Sequence, residues 1–244
     1  MLPFGIQLYS VRDHLAVDPS GTLRRLKEVG YDYVELFGVG PEQAADWKEM
    51  LDDAGVQAVA AHVDYEIIID NLDGAIEMAR CIGFEDIIVP WIKVDTAKEW
   101  VHAALQLDEA GAKLREQGLR LGYHNHDHEF QPIGETTPFD IIFEYAKPDN
   151  LFLELDVRWA GGQGGDPAAI IREFGARCRF LHLKERPAPG RGQFTELGNG
   201  VIDWEPIFEA GRKAGVQWYI VEQDESDGDS IDSAAISAEF VRNQ

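Results

Sequence analysis

Cysteine is nearly absent. Cys81 and Cys178 are the only two, far apart and in no metal-like or redox-like spacing, which excludes a disulfide framework and a thiolate metal site. Both are expected in the core as small apolar side chains. Positive charge is also scarce: 22 Lys and Arg face 44 Asp and Glu, a formal net charge of -22. Such a chain repels phosphate backbones, and with no local basic run nucleic acid is not expected as a partner. The acidity reads as a solvated surface. No run of about 18 apolar residues marks a membrane span. Met1-Leu2-Pro3-Phe4-Gly5 enters a strand-like run with no basic stretch or apolar signal segment before it, so secretion is not expected and a cytoplasmic protein is. There is no Ser/Pro-rich linker and no low-complexity tract, so residues 1–244 are expected to form one domain.

What the chain does contain is a regular alternation of short β-rich runs with longer segments of helical period. The expected strands are Phe4 to Ser10, Tyr33 to Phe37, Gln57 to His62, Asp86 to Pro90, Arg120 to His124, Phe152 to Asp156, Phe180 to Leu183 and Trp218 to Val221. Their starts lie roughly 24 to 38 residues apart, the size of one βα unit. Helix signals lie between them: Pro41 opening Pro41 to Leu51, the Ala-rich Ala97 to Gln117, and Asp166-Pro167 before Cys178. Gly30, Gly55, Gly83, Gly118 and Gly215 stand where helices should end. A doubly wound sheet is built from the same units, but nothing after the first strand reads G-x-G-x-x-G, and eight even units suit closure. The expected fold is a single (β/α)₈ TIM barrel.

Alternate side chains of a barrel strand face the lumen, and chemistry sits at the C-terminal rim. In Leu151 to Arg158 the leucines and Val157 take one parity, and Glu154, Asp156 and Arg158 take the other. The same reasoning turns His182 and Lys184 inward on strand seven, ends strand eight at Glu222, places His124 and His126 on one face after strand five, and closes strands two and three with Glu35 and His62. A lone imidazole or carboxylate at such a place is usually a hydrogen-bonded scaffold group. Several adjacent strands ending this way point to a divalent metal, and mixed N/O donors suit Mn²⁺, Mg²⁺, Co²⁺ or Zn²⁺.

Seven motifs in order carry a resemblance over nearly the whole chain. They are Gly5-Ile6-Gln7-Leu8-Tyr9-Ser10-Val11-Arg12, Tyr123-His124-Asn125-His126-Asp127-His128-Glu129-Phe130, Glu154-Leu155-Asp156, Asp166-Pro167, His182-Leu183-Lys184, Gly198-Asn199-Gly200-Val201-Ile202-Asp203-Trp204 and Trp218-Tyr219-Ile220-Val221-Glu222-Gln223-Asp224. The sequence resembles the sugar phosphate isomerase/epimerase proteins of the xylose-isomerase-like barrel superfamily. That resemblance implies a divalent metal held, by position, by His124, Asp156, His182 and Glu222. The first is a departure, because the superfamily has a glutamate there and its ketose epimerases use paired metal-bound glutamates. Glu129, just beyond the strand, either swings in as the missing carboxylate or is a salt-bridged loop residue.

The first expectation for activity is a metal-dependent isomerase or epimerase of a sugar-like keto/hydroxy substrate, passing through an enediolate, with Glu222, His126 and Glu129 as candidate proton carriers. Lys184 either steadies developing oxyanion charge or pairs with Glu154. The alternative keeps the metal but makes the reaction elimination, dehydration or hydrolysis; a non-catalytic sugar-binding barrel is the minor third. Glu35, His62 and Arg158 are candidate substrate contacts. Arg158, Arg186 and Arg191 either grip a phosphate or are solvated loop residues, and a homo-oligomer is left open. The Pro/Gly-rich stretch Arg186 to Gln193 is expected to form an irregular rim loop, either a lid over the metal or a plain connection.

Overall fold

The computed structural model describes residues 2–162 and 164–244. Eight parallel strands close on themselves in sequence order: β1 Phe4–Gln7, β2 Tyr33–Phe37, β3 Gln57–His62, β4 Asp86–Val89, β5 Arg120–His124, β6 Leu151–Asp156, β7 Cys178–Leu183 and β8 Trp218–Val221. The eight principal outer helices are α1 Pro19–Val29, α2 Ala44–Ala54, α3 Leu72–Ile82, α4 Ala97–Glu116, α5 Pro138–Tyr145, α6 Pro167–Phe174, α7 Trp204–Ala214 and α8 Ser230–Arg242. The chain is therefore the (β/α)₈ barrel that its periodicity implies.

Local chemistry sets the helix boundaries. Asp18, Thr96, Thr137, Asp166 and Asp229 each accept backbone N–H groups at helix starts, and Thr96 with Glu99 forms a reciprocal capping box. The five glycines expected to end helices all have positive φ, which a side chain would strain. Several boundaries differ from the sequence reading by one to three residues, and two of them have a local cause. Strand one stops at Gln7 because the Gln7 side chain accepts the Tyr9 N–H and winds Leu8–Val11 into a 3₁₀ turn. Pro41–Gln43 is likewise a 3₁₀ turn, and the helix proper begins at Ala44.

The main core lies between strands and helices. On α4, Trp100, Ala103, Ala104, Leu107, Ala110, Gly111 and Leu114 recur at helical spacing and are buried as one stripe. Cys178 is buried on β7, but Cys81 is exposed, because the buried stripe of α3 runs through Ala75, Ile76, Ala79 and Ile82 and passes it by. Inside the barrel a second, separate cluster of Ala60, Ile88, Phe152, Phe180 and Ile220 plugs the lumen. Gly122 makes room for it: a Cβ there would stand 2.5 Å from the Phe152 ring. Above this apolar layer, toward the C-terminal ends of the strands, the lumen turns polar.

Gly111 marks where α4 meets the start of β6 most closely, since a Cβ there would lie 1.9 Å from the Asn150 carbonyl oxygen. Helix propensity favours Gly111→Ala by about 1 kcal/mol, but a backbone clash cannot relax by side-chain rotation and overpacking costs about 1–3 kcal/mol. Gly111→Ala is therefore expected to lower stability by about 1–2 kcal/mol in urea unfolding, with an unchanged m value. A more stable variant would show that this contact is looser than described.

Candidate metal centre and active-site cavity

Strand parity delivers the polar groups to one place. His124 and Asp156 end β5 and β6, His182 is the last residue but one of β7, Glu222 follows β8, and all four are buried. One donor atom from each lies within 4.8 Å of the others. Asp156 is fixed twice over. Its backbone N–H donates to Asn125 Oδ1 at 3.1 Å, and its Oδ1 accepts the N–H groups of Arg158 and Trp159 at 2.9 and 3.0 Å. Its other oxygen, Oδ2, is buried without a hydrogen bond and has only the Lys184 ammonium at 3.2 Å. A buried carboxylate oxygen so placed, beside two imidazoles and a second carboxylate, fits a divalent cation, and the mix of two nitrogens and two oxygens suits a borderline one.

Lys184 stands in the same cluster. Its Nζ is 2.8 Å from Glu222 Oε2, 2.8 Å from Asp224 Oδ1 and 3.2 Å from Asp156 Oδ2. The alternative pairing with Glu154 is not found: β6 carries Glu154 one lumen layer below Lys184, where it meets His62 Nε2 at 2.8 Å and His124 Nδ1 at 3.1 Å. His182 bridges the two layers, with Nδ1 at 2.8 Å from Glu222 and Nε2 at 2.7 Å from Glu35. Gln7 Nε2 donates to that same Glu35 oxygen at 2.8 Å.

The electrostatics follow from burial and partners. Burial opposes every charge here, yet Lys184 and His182 outweigh it at Glu222 and hold that carboxyl well below its usual range. Lys184 stays protonated, because Glu222, Asp156 and Asp224 overcome its desolvation. Asp156 is pushed up to about 6 by burial, which Lys184 only partly offsets. The ammonium is nearer to Glu222 and Asp224, so its charge is spent mainly on them. His62 is raised to about 9 against burial by Glu35 and Glu154. Burial, with Lys184 nearby, pushes His126 down to about 3, so that ring is neutral at pH 7.

A cavity of about 520 Å³ opens above the cluster. Its floor includes His62, His124, His126, Glu222 and Asp224, and its walls include Tyr9, Phe37, Trp91 and Phe194. A larger cleft of about 650 Å³ lies outside the barrel along Phe139, Phe143, Ile170 and Phe174, with no convergence of imidazoles or metal-competent carboxylates. Polar convergence, not volume, marks the site.

The remaining sequence candidates divide. His126 faces the cavity beside Trp91, with ring centroids 4.9 Å apart. Arg158 reaches across the rim, its guanidinium 4.2 Å over the Phe194 ring and donating to the Gln193 carbonyl at 2.7 Å. Arg186 donates to the Gly161 carbonyl, and neither lines the cavity. Glu35 is buried a layer below the rim, against His182 and Gln7. Glu129 stands apart from the metal cluster and is not a fifth ligand; it is a buried residue of the turn after β5, with His128 Nε2 3.1 Å from its Oε1. It accepts the Tyr123 hydroxyl at 2.6 Å and the His126 N–H at 2.7 Å. Tyr123 has the outward parity of β5, so Glu129 is drawn behind the strand rather than into the lumen.

The segment between β7 and α7 has neither helix nor strand, and its Gln193 and Phe194 reach the cavity. Its base is tied by buried Glu185, which accepts the N–H groups of Arg186, Gly198 and Ile202 and the Trp204 indole N–H. Sequence reading gives no role to Glu185 or Asp224, although Asp224 shares parity with Glu222, and it turns Glu154 into the lumen only as a partner for Lys184.

Residues 23–244 match the xylose isomerase-like TIM barrel family model, and the chain belongs to that family. An inosose dehydratase of Lacticaseibacillus casei is 27% identical over 148 residues, covering 54% of this chain and 49% of the relative. The chain thus spans about half the length of the curated relatives it matches. Among solved structures, a sugar phosphate isomerase/epimerase from Parabacteroides distasonis aligns with a TM-score of 0.86 at 23% identity, over 99% of this chain and 93% of the other. The IOLI protein with a binding zinc atom aligns with a TM-score of 0.76 at 14% identity, over 99% and 97%. Both are likenesses of fold.

Glu129 yields a pH prediction. Burial raises its carboxyl to about 7, which its hydrogen bonds only partly counter, so the fold favours the neutral acid. A folded-state value above the unfolded one gives stability that is full below the unfolded value and lost as pH rises toward 7. Relative to Glu129→Gln, which stays neutral, the native protein is expected to lose on the order of 2 kcal/mol between about pH 4.5 and 7.5. Parallel stability–pH curves for the two proteins would refute the assignment.

Proposed function

We propose that this protein is a divalent-metal-dependent enzyme that removes a proton next to a carbonyl of a polyhydroxylated cyclic or sugar-like ketone and then expels water. The observation that carries this reading is the convergence of His124, Asp156, His182 and Glu222 donor atoms with the Lys184 ammonium 2.8 Å from Glu222. Bound in that quartet, a divalent cation supplies Lewis acidity to a substrate carbonyl and acidifies the neighbouring C–H. The names of the curated relatives, inosose dehydratases, support a keto-polyol substrate, and the zinc in the IOLI structure supports the metal.

The chain's own groups divide the work. Glu222 is held ionised by Lys184 and His182, and with Oε2 committed to both it offers its other oxygen to the C–H proton. Lys184 is held protonated and is the donor to the departing hydroxyl, which leaves as water. Asp224 flanks Lys184 and favours its return to the ammonium form after the proton has been given up. Tyr9, Phe37, Trp91 and Phe194 give the substrate apolar walls, while Arg158 fixes Gln193 and Phe194 over one side.

Isomerisation or epimerisation is the second reading, supported by the fold neighbours. Inversion at one carbon wants two bases of similar strength on opposite faces. Here β5 brings His124, and His126, held near 3, is a weak base. Elimination needs only one base with an acid beside it, which is what Glu222 and Lys184 provide.

Asp156→Asn and Glu222→Gln are each expected to reduce turnover about 100-fold or more with an unchanged circular dichroism spectrum. Metal-loaded protein should convert an inosose to a dehydrated product in deuterated water. Deuterium entering recovered substrate without water loss would favour the second reading. Neither outcome across inososes, ketoses and keto-glycosides would sink both.

A further inference from the structure

Below the rim, three ring nitrogens crowd one carboxylate oxygen. His62 Nε2, His124 Nδ1 and His182 Nε2 stand 2.8, 3.1 and 3.2 Å from Glu154 Oε2. The other Glu154 oxygen is fully buried with no hydrogen-bond partner, and so is Glu35 Oε1 beside it. The three rings pack together, with centroids 4.4 to 5.3 Å apart. Two hydrogen bonds and a third close nitrogen at one oxygen, with nothing at the other, is a poor solution for hydrogen bonding, since a carboxylate has about four acceptor sites to share.

We propose that His62, His124, Glu154 and His182 form a second divalent-cation seat, one lumen layer beneath the rim quartet. The inference goes beyond the proposed reaction, which uses the rim alone. Three imidazoles and one carboxylate suit a tetrahedral zinc-like or cobalt ion. Bonds of about 2.0–2.1 Å would set the donor atoms about 3.4 Å apart; the nitrogens stand 2.8 to 3.2 Å from Glu154 Oε2, and all four donor atoms lie within 4.8 Å of one another. Glu35 lies 2.7 Å from His182 Nε2 and 3.2 Å from His62 Nε2, and supplies a second negative charge at the seat.

The two seats differ in one respect. At the rim, Lys184 lies 3.2 Å from Asp156 Oδ2 and 2.8 Å from Glu222 Oε2, so an ion there shares its carboxylates with an ammonium. The partners of Lys184 are Asp156, Glu222 and Asp224, not Glu154, so the deep seat has no such competitor. His124 and His182 belong to both quartets. A ring can serve two ions at once only as an imidazolate, so one chain holds one ion at neutral pH, either deep or at the rim.

The test uses full-length protein stripped with chelator, loaded with Co²⁺ and dialysed, reading metal per chain by elemental analysis and the visible Co²⁺ spectrum. The Asp156→Asn/Glu222→Gln double variant is expected to keep about one ion per chain with the intense bands of four-coordinate cobalt. Adding Glu154→Gln, or separately His62→Gln, is expected to weaken retention at least ten-fold and abolish those bands. His62→Gln serves if the fully buried Glu154→Gln change disturbs the circular dichroism spectrum. Loss of the ion from the double variant, with Glu154→Gln and His62→Gln retaining native uptake, would overturn the deep seat and leave the rim reading intact. Retention in the double variant but not in Glu154→Gln would support the deep seat and deprive the rim reading of its ion. A native protein that retains no ion would overturn both.

Discussion

The lumen is a sealed space in which charges have only each other. Glu35, Glu154, Asp156 and Glu222 bring four carboxylates into it, against the Lys184 ammonium and the two imidazoles, His62 and His182, whose protonated forms are favoured. An unpaired charge out of water costs several kcal/mol, so this inventory decides which side chains can be neighbours. It leaves a surplus of negative charge at the C-terminal end of the barrel. A cation is the physical remedy, and the partnerless oxygens of Glu154 and Glu35 are where the deficit shows.

The same constraint explains the division of the lumen. The apolar plug of Ala60, Ile88, Phe152, Phe180 and Ile220 keeps water from reaching the charged layer from below. Low dielectric strengthens the pairs above it as much as it penalises any gap in them. Precise placement is then needed, and it comes from outside the lumen: Asn125 on the Asp156 backbone, the Arg158 and Trp159 N–H groups on its side chain, and Gln7 on Glu35. These supports are short-range and sit on strand ends, where the backbone is already fixed by the sheet.

Strand periodicity made most of this legible in advance. A period of two, counted back from the rim, turned Asp156, His182, His124, Glu35 and His62 inward, and the structure brings them together. The argument fails where the period stops applying. Glu129 lies five residues past His124, beyond the strand, and the outward Tyr123 hydroxyl captures it. Parity also cannot tell which cross-strand neighbour a long side chain meets: Lys184 and Glu154 share the lumen but lie in different layers, and Lys184 reaches Glu222 and Asp224 instead. Cys81 was misplaced for a different reason, since residue type was weighed there and helical phase was not.

The imidazole at the end of β5 has consequences on both sides of it. A carboxylate there would add a further negative charge to a site that already exceeds its cations and would offer a second base across from Glu222. His124 instead is neutral, because burial and the neighbouring His182 both oppose its protonation. A neutral ring leaves Glu222 as the one carboxylate of the rim quartet held firmly ionised, with the protonated Lys184 at its side. It also turns Nδ1 downward to Glu154, tying the rim to the deeper histidines. The imidazole thus leaves an unequal acid and base at the rim, the pair that the proposed elimination uses, and couples the site to the layer beneath.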